Sequence, residues 1–248
     1  MKIEMLYPEV ANLHGDNHNI VYLGQCRPDA TIIRTSLTDV PAFVTGQVDL
    51  VYLGPMTEAG QLKVVGHLRP YAARIADLID AGAVFLFTHN ALEVLGERIH
   101  NVSTNSDEPG LGILPLTTHI DLLARYTGKV MGKTGSTTVV GYKSQFSMVQ
   151  ADEALPGFLH ADAGIGRNRS TSTEGVRRNN FIGTSLLGPL LITNPGFTRD
   201  LLVLLDPGTE PTLAHEDLAI KAYDARLADF RDPHRWHAWE RVLPSQTP

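Results

Sequence analysis

The chain has 248 residues, 43% hydrophobic and 19% charged, with a formal net charge of −6 and a mean hydropathy near zero. That composition describes one globular domain, or one with an appendage, and it leaves no apolar run near the roughly 20 residues that a membrane span needs. Scattered Lys and Arg exclude a nucleic-acid surface, which needs concentrated positive charge, and the lone Cys26 excludes a disulfide framework or a Cys-cluster metal site.

The N-terminus enters a strand-like alternation at once, with none of the regions of a secretory signal, so the expected location is cytoplasmic. Strands are predicted over residues 2–7, 30–36, 48–53 and 83–87, with an apolar helix pattern at Ile20, Val21 and Leu23 after the first. Alternation of such runs with helical patterns is the signature of βαβ units and a mostly parallel sheet. Residues 57–81 carry Leu62, Val65, Leu68, Ile75, Leu78 and Ile79 at helical spacing, a core-facing helix that Pro70 should start, kink or break. From 103 to 183 the pattern changes to Gly-punctuated strands, among them 137–142 and 146–149, read as the antiparallel edge of the sheet and the loops above it. The polar run at 164–175 is the most loop-like stretch. Leu213, Ile220, Tyr223, Leu227 and Phe230 give an amphipathic terminal helix, so the chain divides into a domain over 1–210 and a C-terminal helix and tail over 211–248 packed on it.

Two segments could carry chemistry. In His14-Gly15-Asp16-Asn17-His18, two imidazoles and a carboxylate could ligate a divalent metal. Equally, Asp16 or Asn17 could cap the helix that follows. The second segment is the junction from Phe85 to Gly96, where a buried strand runs straight into a helix and puts His89 at a sharp elbow, on the sheet's carboxyl end. An elbow histidine can be a base, a ligand, or a side chain that merely bonds its neighbours. Gly164-Ile165-Gly166 follows no clear strand and precedes no helix pattern, so a dinucleotide reading fails.

The order of these segments, with Ala124-Arg125-Tyr126-Thr127-Gly128 and the run Ile182 to Leu191, resembles the cobyric-acid-synthase (CobB/CobQ) type of class I glutamine amidotransferases over roughly residues 2 to 205. Within that type it is most similar to the GatD glutaminase subunits of lipid II isoglutaminyl synthase; Leu13 to Asn19 matches their opening motif except at His18. The resemblance implies a flavodoxin-like, doubly wound α/β fold, and a reaction in which an elbow cysteine attacks the glutamine side-chain amide and releases ammonia through a thioester. It also implies a Mur-ligase-like partner subunit of the MurT type, which takes the ammonia in cell-wall amidation, and no cofactor or metal.

At the reacting positions this sequence departs from the family. The family's cysteine falls on His89, the two glycines after it on Asn90 and Ala91, its glutamine on Glu93 and its catalytic histidine on Leu187. The loop whose amides help form the oxyanion hole reads Leu53-Gly54-Pro55-Met56-Thr57, and a proline has no N–H to donate. Cys26, expected on the opposite rim of the sheet, is read as a structural or merely surface thiol rather than a substitute nucleophile. Arg125 matches the arginine that the family uses for the glutamine α-carboxylate, and a pairing with a nearby acid is its alternative. Substrate-binding candidates are therefore Arg125, Gly54 and Asn90. The reading is a structural or regulatory subunit without glutaminase chemistry; its alternatives are a different hydrolase or transferase built on His89 with Glu93 and Glu58, and a module that binds glutamine or another amino acid unchanged.

Overall fold

The computed structural model describes residues 1–235 and 238–242. Strands β1 (Lys2–Leu6), β2 (Thr31–Thr35), β3 (Leu50–Leu53) and β4 (Val84–Thr88) alternate with helices α1 (His18–Cys26), α2 (Ala42–Thr45), α3 (Glu58–Leu68) and α4 (Ala72–Asp80) and pair in parallel. There follow β5 (Arg98–Asn101), β6 (Ser106–Pro109), β7 (Leu116–Ile120), β8 (Ala124–Thr134), β9 (Thr137–Gln145), β10 (Ser147–Ala151), β11 (Leu159–Ala163), β12 (Thr173–Glu174), β13 (Val176–Arg178) and β14 (Phe181–Thr184). Helices α5 (Pro195–Leu205) and α6 (Glu216–Arg231) and strand β15 (Ala238–Val242) close the described chain.

The central sheet runs β13-β14-β4-β3-β1-β2, parallel except for β13. Side chains of β3 and β4 alternate between two cores: Val51, Leu53, Phe85 and Phe87 enter one, and Leu50, Tyr52, Val84 and Leu86 the other. A strand covered on both faces has no polar positions to spare, which is why these segments read as unbroken apolar runs. The first core is closed by α3, α4 and the second sheet through Val64, Val65, Ile75, Ile79 and Leu116. The second is closed by α1, α5 and the third sheet through Ile20, Leu23, Val130, Val139, Phe197 and Leu201. This is the flavodoxin-like arrangement of class I glutamine amidotransferases.

Several local expectations are corrected. Strand β1 ends at Leu6 because Tyr7 turns to a φ of 51°. Of the outcomes the sequence left open at Pro70, the break is the one found: α3 stops at Leu68, a 3-10 turn spans Arg69–Tyr71, and α4 resumes. Leu62, assigned to the buried face, is 41% exposed. The segment 103–183 is more than an edge and loops. It forms a four-stranded sheet, β10-β7-β5-β6, and another in which β8 pairs with β9, β11 and β15; only β13 is an antiparallel edge of the central sheet. Gly164 does follow a strand, β11, although no helix comes after it. The polar run behind it buries Arg167 and Glu174, because each brings its charge to a partner inside the fold. In the terminal helix Phe230 is buried but Ile220 is 38% exposed. Of the tail, residues 236–237 and 243–248 lie outside the described residues. No helix among the described residues is long and apolar enough to cross a membrane.

Candidate functional site

Strand β4 delivers Thr88 in extended conformation, and the chain then reverses at His89, whose φ is 54°, into a 3-10 helix over His89–Leu95 rather than the α-helix expected. A left-handed conformation costs a non-glycine residue about 1–2 kcal/mol, so the tertiary frame holds this elbow against local preference. Thr88 pairs with Thr184 in the parallel β4–β14 ladder, so His89 and the loop carrying Leu187 leave the sheet at the same carboxyl end. Strand β9 holds both: Leu187 N–H donates to the Tyr142 carbonyl at 2.8 Å, and His89 Nε2 lies 3.1 Å from the Ser144 carbonyl.

A carbonyl only accepts, so Nε2 carries the proton and the neutral ring presents Nδ1 as a bare lone pair. Among the described residues that buried atom has no hydrogen-bond partner. Burial lowers the imidazole to about 4, so it is neutral at physiological pH and a weak base. The His14 ring lies 6.2 Å away, centroid to centroid.

Beside the elbow lies a cavity of about 230 Å³ whose lining includes His14, Glu58, His89, Asn90, Glu93 and Arg125. Arg125 is exposed and lies over the Phe146 ring, 5.3 Å from its centroid; the alternative of an ion pair is not realised among the described residues. Glu93 forms the floor. Its carboxylate accepts from Gln61 Nε2 at 2.8 Å and from Ser147 Oγ, and burial pushes its pKa up to about 7. Each oxygen thus takes one hydrogen bond from the protein, which fixes the orientation of this carboxyl group. Glu58, in the first turn of α3, is exposed at the rim.

Asn90, in the cavity lining, engages the loop after β3 with its amide. Its Oδ1 accepts from Met56 N–H at 3.0 Å, and its Nδ2 donates to the Met56 carbonyl at 2.8 Å. Pro55 offers no N–H, and its carbonyl accepts from Leu13 N–H at 3.0 Å. Gly54 does not line the cavity, contrary to its assignment as a substrate-binding position: it is buried under the Ala11 carbonyl, so close that an added Cβ would lie 2.7 Å from that oxygen.

In the segment 14–18 neither Asp16 nor Asn17 makes a side-chain cap bond to α1. Asn17 stands at the N-cap of α1 with no side-chain cap bond. Asp16 turns inward, where its carboxylate accepts from Thr88 Oγ1 at 3.0 Å and Gly188 N–H at 3.1 Å, and burial raises its pKa to about 6. It ties the first loop to the elbow strand and to the loop after β14. Among the described residues no three His, Cys, Asp or Glu side chains gather so as to hold a metal ion. Cys26 is buried at the end of α1, its sulfur accepting from Ala214 N–H at 3.3 Å.

Other participants carried no sequence signal. Lys143, next to Ser144, is wholly buried; its Nζ donates to the Gly166 carbonyl at 2.6 Å and lies 3.4 Å from Glu174. Glu174 also accepts from Thr184 Oγ1 and Ser185 N–H, both at 2.8 Å, and so anchors the start of the loop that bears Leu187. Nothing in the polar run at 164–175 marks Glu174 as a core residue, because its partners lie in other strands.

No protein-family model matches the chain. It is 25% identical over 195 residues, 77% of this chain and 78% of the relative, to the lipid II isoglutaminyl synthase (glutamine-hydrolyzing) subunit GatD of Staphylococcus aureus strain N315. A crystal structure of a glutamine amidotransferase matches with a TM-score of 0.55 at 13% identity, covering 82% of this chain and 98% of that one. The chain therefore has the glutamine amidotransferase fold and a distant relative in GatD.

Proposed function

We propose that this protein is a GatD-like amidotransferase homologue of the cobyric-acid-synthase type that has lost glutaminase chemistry and serves as a structural or regulatory subunit for a Mur-ligase-like partner of the MurT type in cell-wall amidation. The observation that carries the reading is the closed oxyanion loop. Acyl transfer from glutamine needs a thiolate at the elbow, a base to form it, and amides free to receive the developing oxyanion. Here the elbow holds an imidazole, the facing loop holds Leu187, Pro55 has no N–H, and the Met56 N–H is already bonded to Asn90. The only thiol among 248 residues, Cys26, is bound elsewhere in the fold.

A different chemistry built on His89 is less supported: a ring held near pKa 4 is a poor base, and its Nε2 is oriented by the Ser144 carbonyl while the Glu93 carboxyl group bonds Gln61 and Ser147. A module that binds an amino acid unchanged retains one supporting observation, the open cavity between Arg125 and the elbow. Purified protein incubated with L-glutamine, with and without a candidate ligase, should release no ammonia above a buffer blank, and pull-down from the native host should recover a Mur-ligase-like chain. Turnover that survives Cys26→Ser and is abolished by His89→Ala would overturn the loss of catalysis. Recovery of no ligase-like chain would overturn the assignment of partner.

A further inference from the structure

A second cavity, of about 570 Å³, shares no residue with the site beside the elbow. It opens where the far end of the β8–β9 hairpin meets α5 and strands β11 and β13. Its floor is apolar: Phe158 and Phe197 meet edge to face with centroids 5.0 Å apart, and Leu201 adjoins them. Its charged lining residues are Lys133, Arg177 and Asp200. Arg177, on β13, is half-buried; its Nε donates to the Asn179 carbonyl at 2.8 Å, and no carboxylate pairs with the guanidinium among the described residues. Burial lowers its pKa with no acid acting in the other direction. Lys133 also forms no side-chain pair among the described residues, and it stands directly opposite His160 in the β8–β11 ladder. The acid in the lining, Asp200, is engaged by Thr137 Oγ1 at 2.6 Å.

A half-buried cation without a counter-ion costs free energy. In a chain of net charge −6, an apolar floor ringed by unpaired bases is a place for a negative group attached to an apolar body. We propose that this cavity binds a small aromatic anion, its ring on the Phe158–Phe197 floor and its carboxylate or phosphate head between Arg177 and Lys133. Arg177 sits on a strand with its Nε fixed on the Asn179 carbonyl, and a guanidinium with its terminal amino groups free matches either oxyanion head as a two-pronged donor.

Calorimetric titration of the full chain with phenyl phosphate and with benzoate tests this and separates the two head groups. One of them should saturate a single site, inorganic phosphate should bind more weakly for want of the floor, and benzyl alcohol, neutral and of similar shape, should give no saturable heat. Arg177→Gln should weaken the aromatic anion about 10- to 100-fold, the range for a lost charge-assisted hydrogen bond. Lys133→Gln, an exposed side chain with no protein partner to lose, should weaken it about 2- to 5-fold while unfolding at the wild-type temperature. Should Arg177→Gln fail to fold, the Lys133 variant decides. The proposal is overturned if neither anion saturates, if benzyl alcohol binds as well as the anions, or if the folded variants keep the wild-type affinity.

Discussion

Supplying the missing nucleophile and base should not be enough to restore glutaminase activity. His89→Cys with Leu187→His places a thiol on the elbow and an imidazole on the loop after β14. The backbone asks nothing new of position 89, which already holds a side chain at a φ of 54°. The oxyanion loop is a different matter. Pro55 lacks an N–H, and the Met56 N–H is held at 3.0 Å by Asn90 Oδ1. Loss of one oxyanion donor costs about 100- to 1000-fold in kcat, so the double variant should stay near background. Adding Asn90→Gly frees the Met56 amide and should raise the rate by about the same factor, and Pro55→Gly and Ala91→Gly should raise it further. The release has a structural cost. The two bonds between Asn90 and Met56, at 3.0 and 2.8 Å, contribute about 1 kcal/mol each, so Asn90→Gly should lower unfolding stability by about 2 kcal/mol in urea. The assay is glutamate formation from L-glutamine, with intact-mass detection of the thioester. A competent double variant would refute the argument from the oxyanion loop. A folded but silent five-fold variant would show that the cavity itself has been remodelled.

Glu93 and His89 should leave opposite marks on the pH dependence of stability. Burial raises Glu93 from 4.5 to about 7, so between those values the native protein holds a proton that the unfolded chain has released, and stability falls as pH rises. Burial lowers His89 from 6.5 to about 4, so the unfolded ring gains a proton first and stability falls as pH drops through that window. Glu93→Gln, whose amide can still accept from Gln61 and donate to Ser147, should gain about 1–3 kcal/mol on wild type as pH rises through the first window; a difference constant with pH would refute the assignment. Lys143→Met strands the Glu174 charge in the core and should cost about 3–5 kcal/mol, whereas Lys143→Met with Glu174→Gln should cost less than the sum of the single changes, and strict additivity in urea unfolding would count against the pair. Gly175→Ala should cost about 3 kcal/mol or more, since its Cβ would lie 2.2 Å from the Gly183 carbonyl at a φ of 62°, while Gly112→Ala, at a similar φ but with open space around it, should cost about 1–2 kcal/mol; equal losses would show that backbone conformation alone decides.

The apolar runs that became β3 and β4, the break at Pro70 and the elbow at His89 were legible in the sequence because each depends on a periodicity or a backbone constraint confined to a few neighbouring residues. The order of those segments carried the fold class as well, since parallel strands joined through helices have few ways to close a sheet. The second and third sheets were not legible. Their strands are short and interrupted by glycines, and which of them pair is settled by partners tens of residues away, as when β8 joins β11 and β15. The same limit applied to the site. Sequence identified Pro55 and Asn90 as departures from a glutaminase, yet that Asn90 occupies the Met56 amide became visible only when β3 and β4 were set side by side, 34 residues apart in the chain. Lys143 and Glu174 read as ordinary polar residues of exposed strands and loops. Burial turned them into a pair, because a charge enclosed by two packed sheets must find its counter-charge inside the fold, and the packing of distant strands determines where that counter-charge lies.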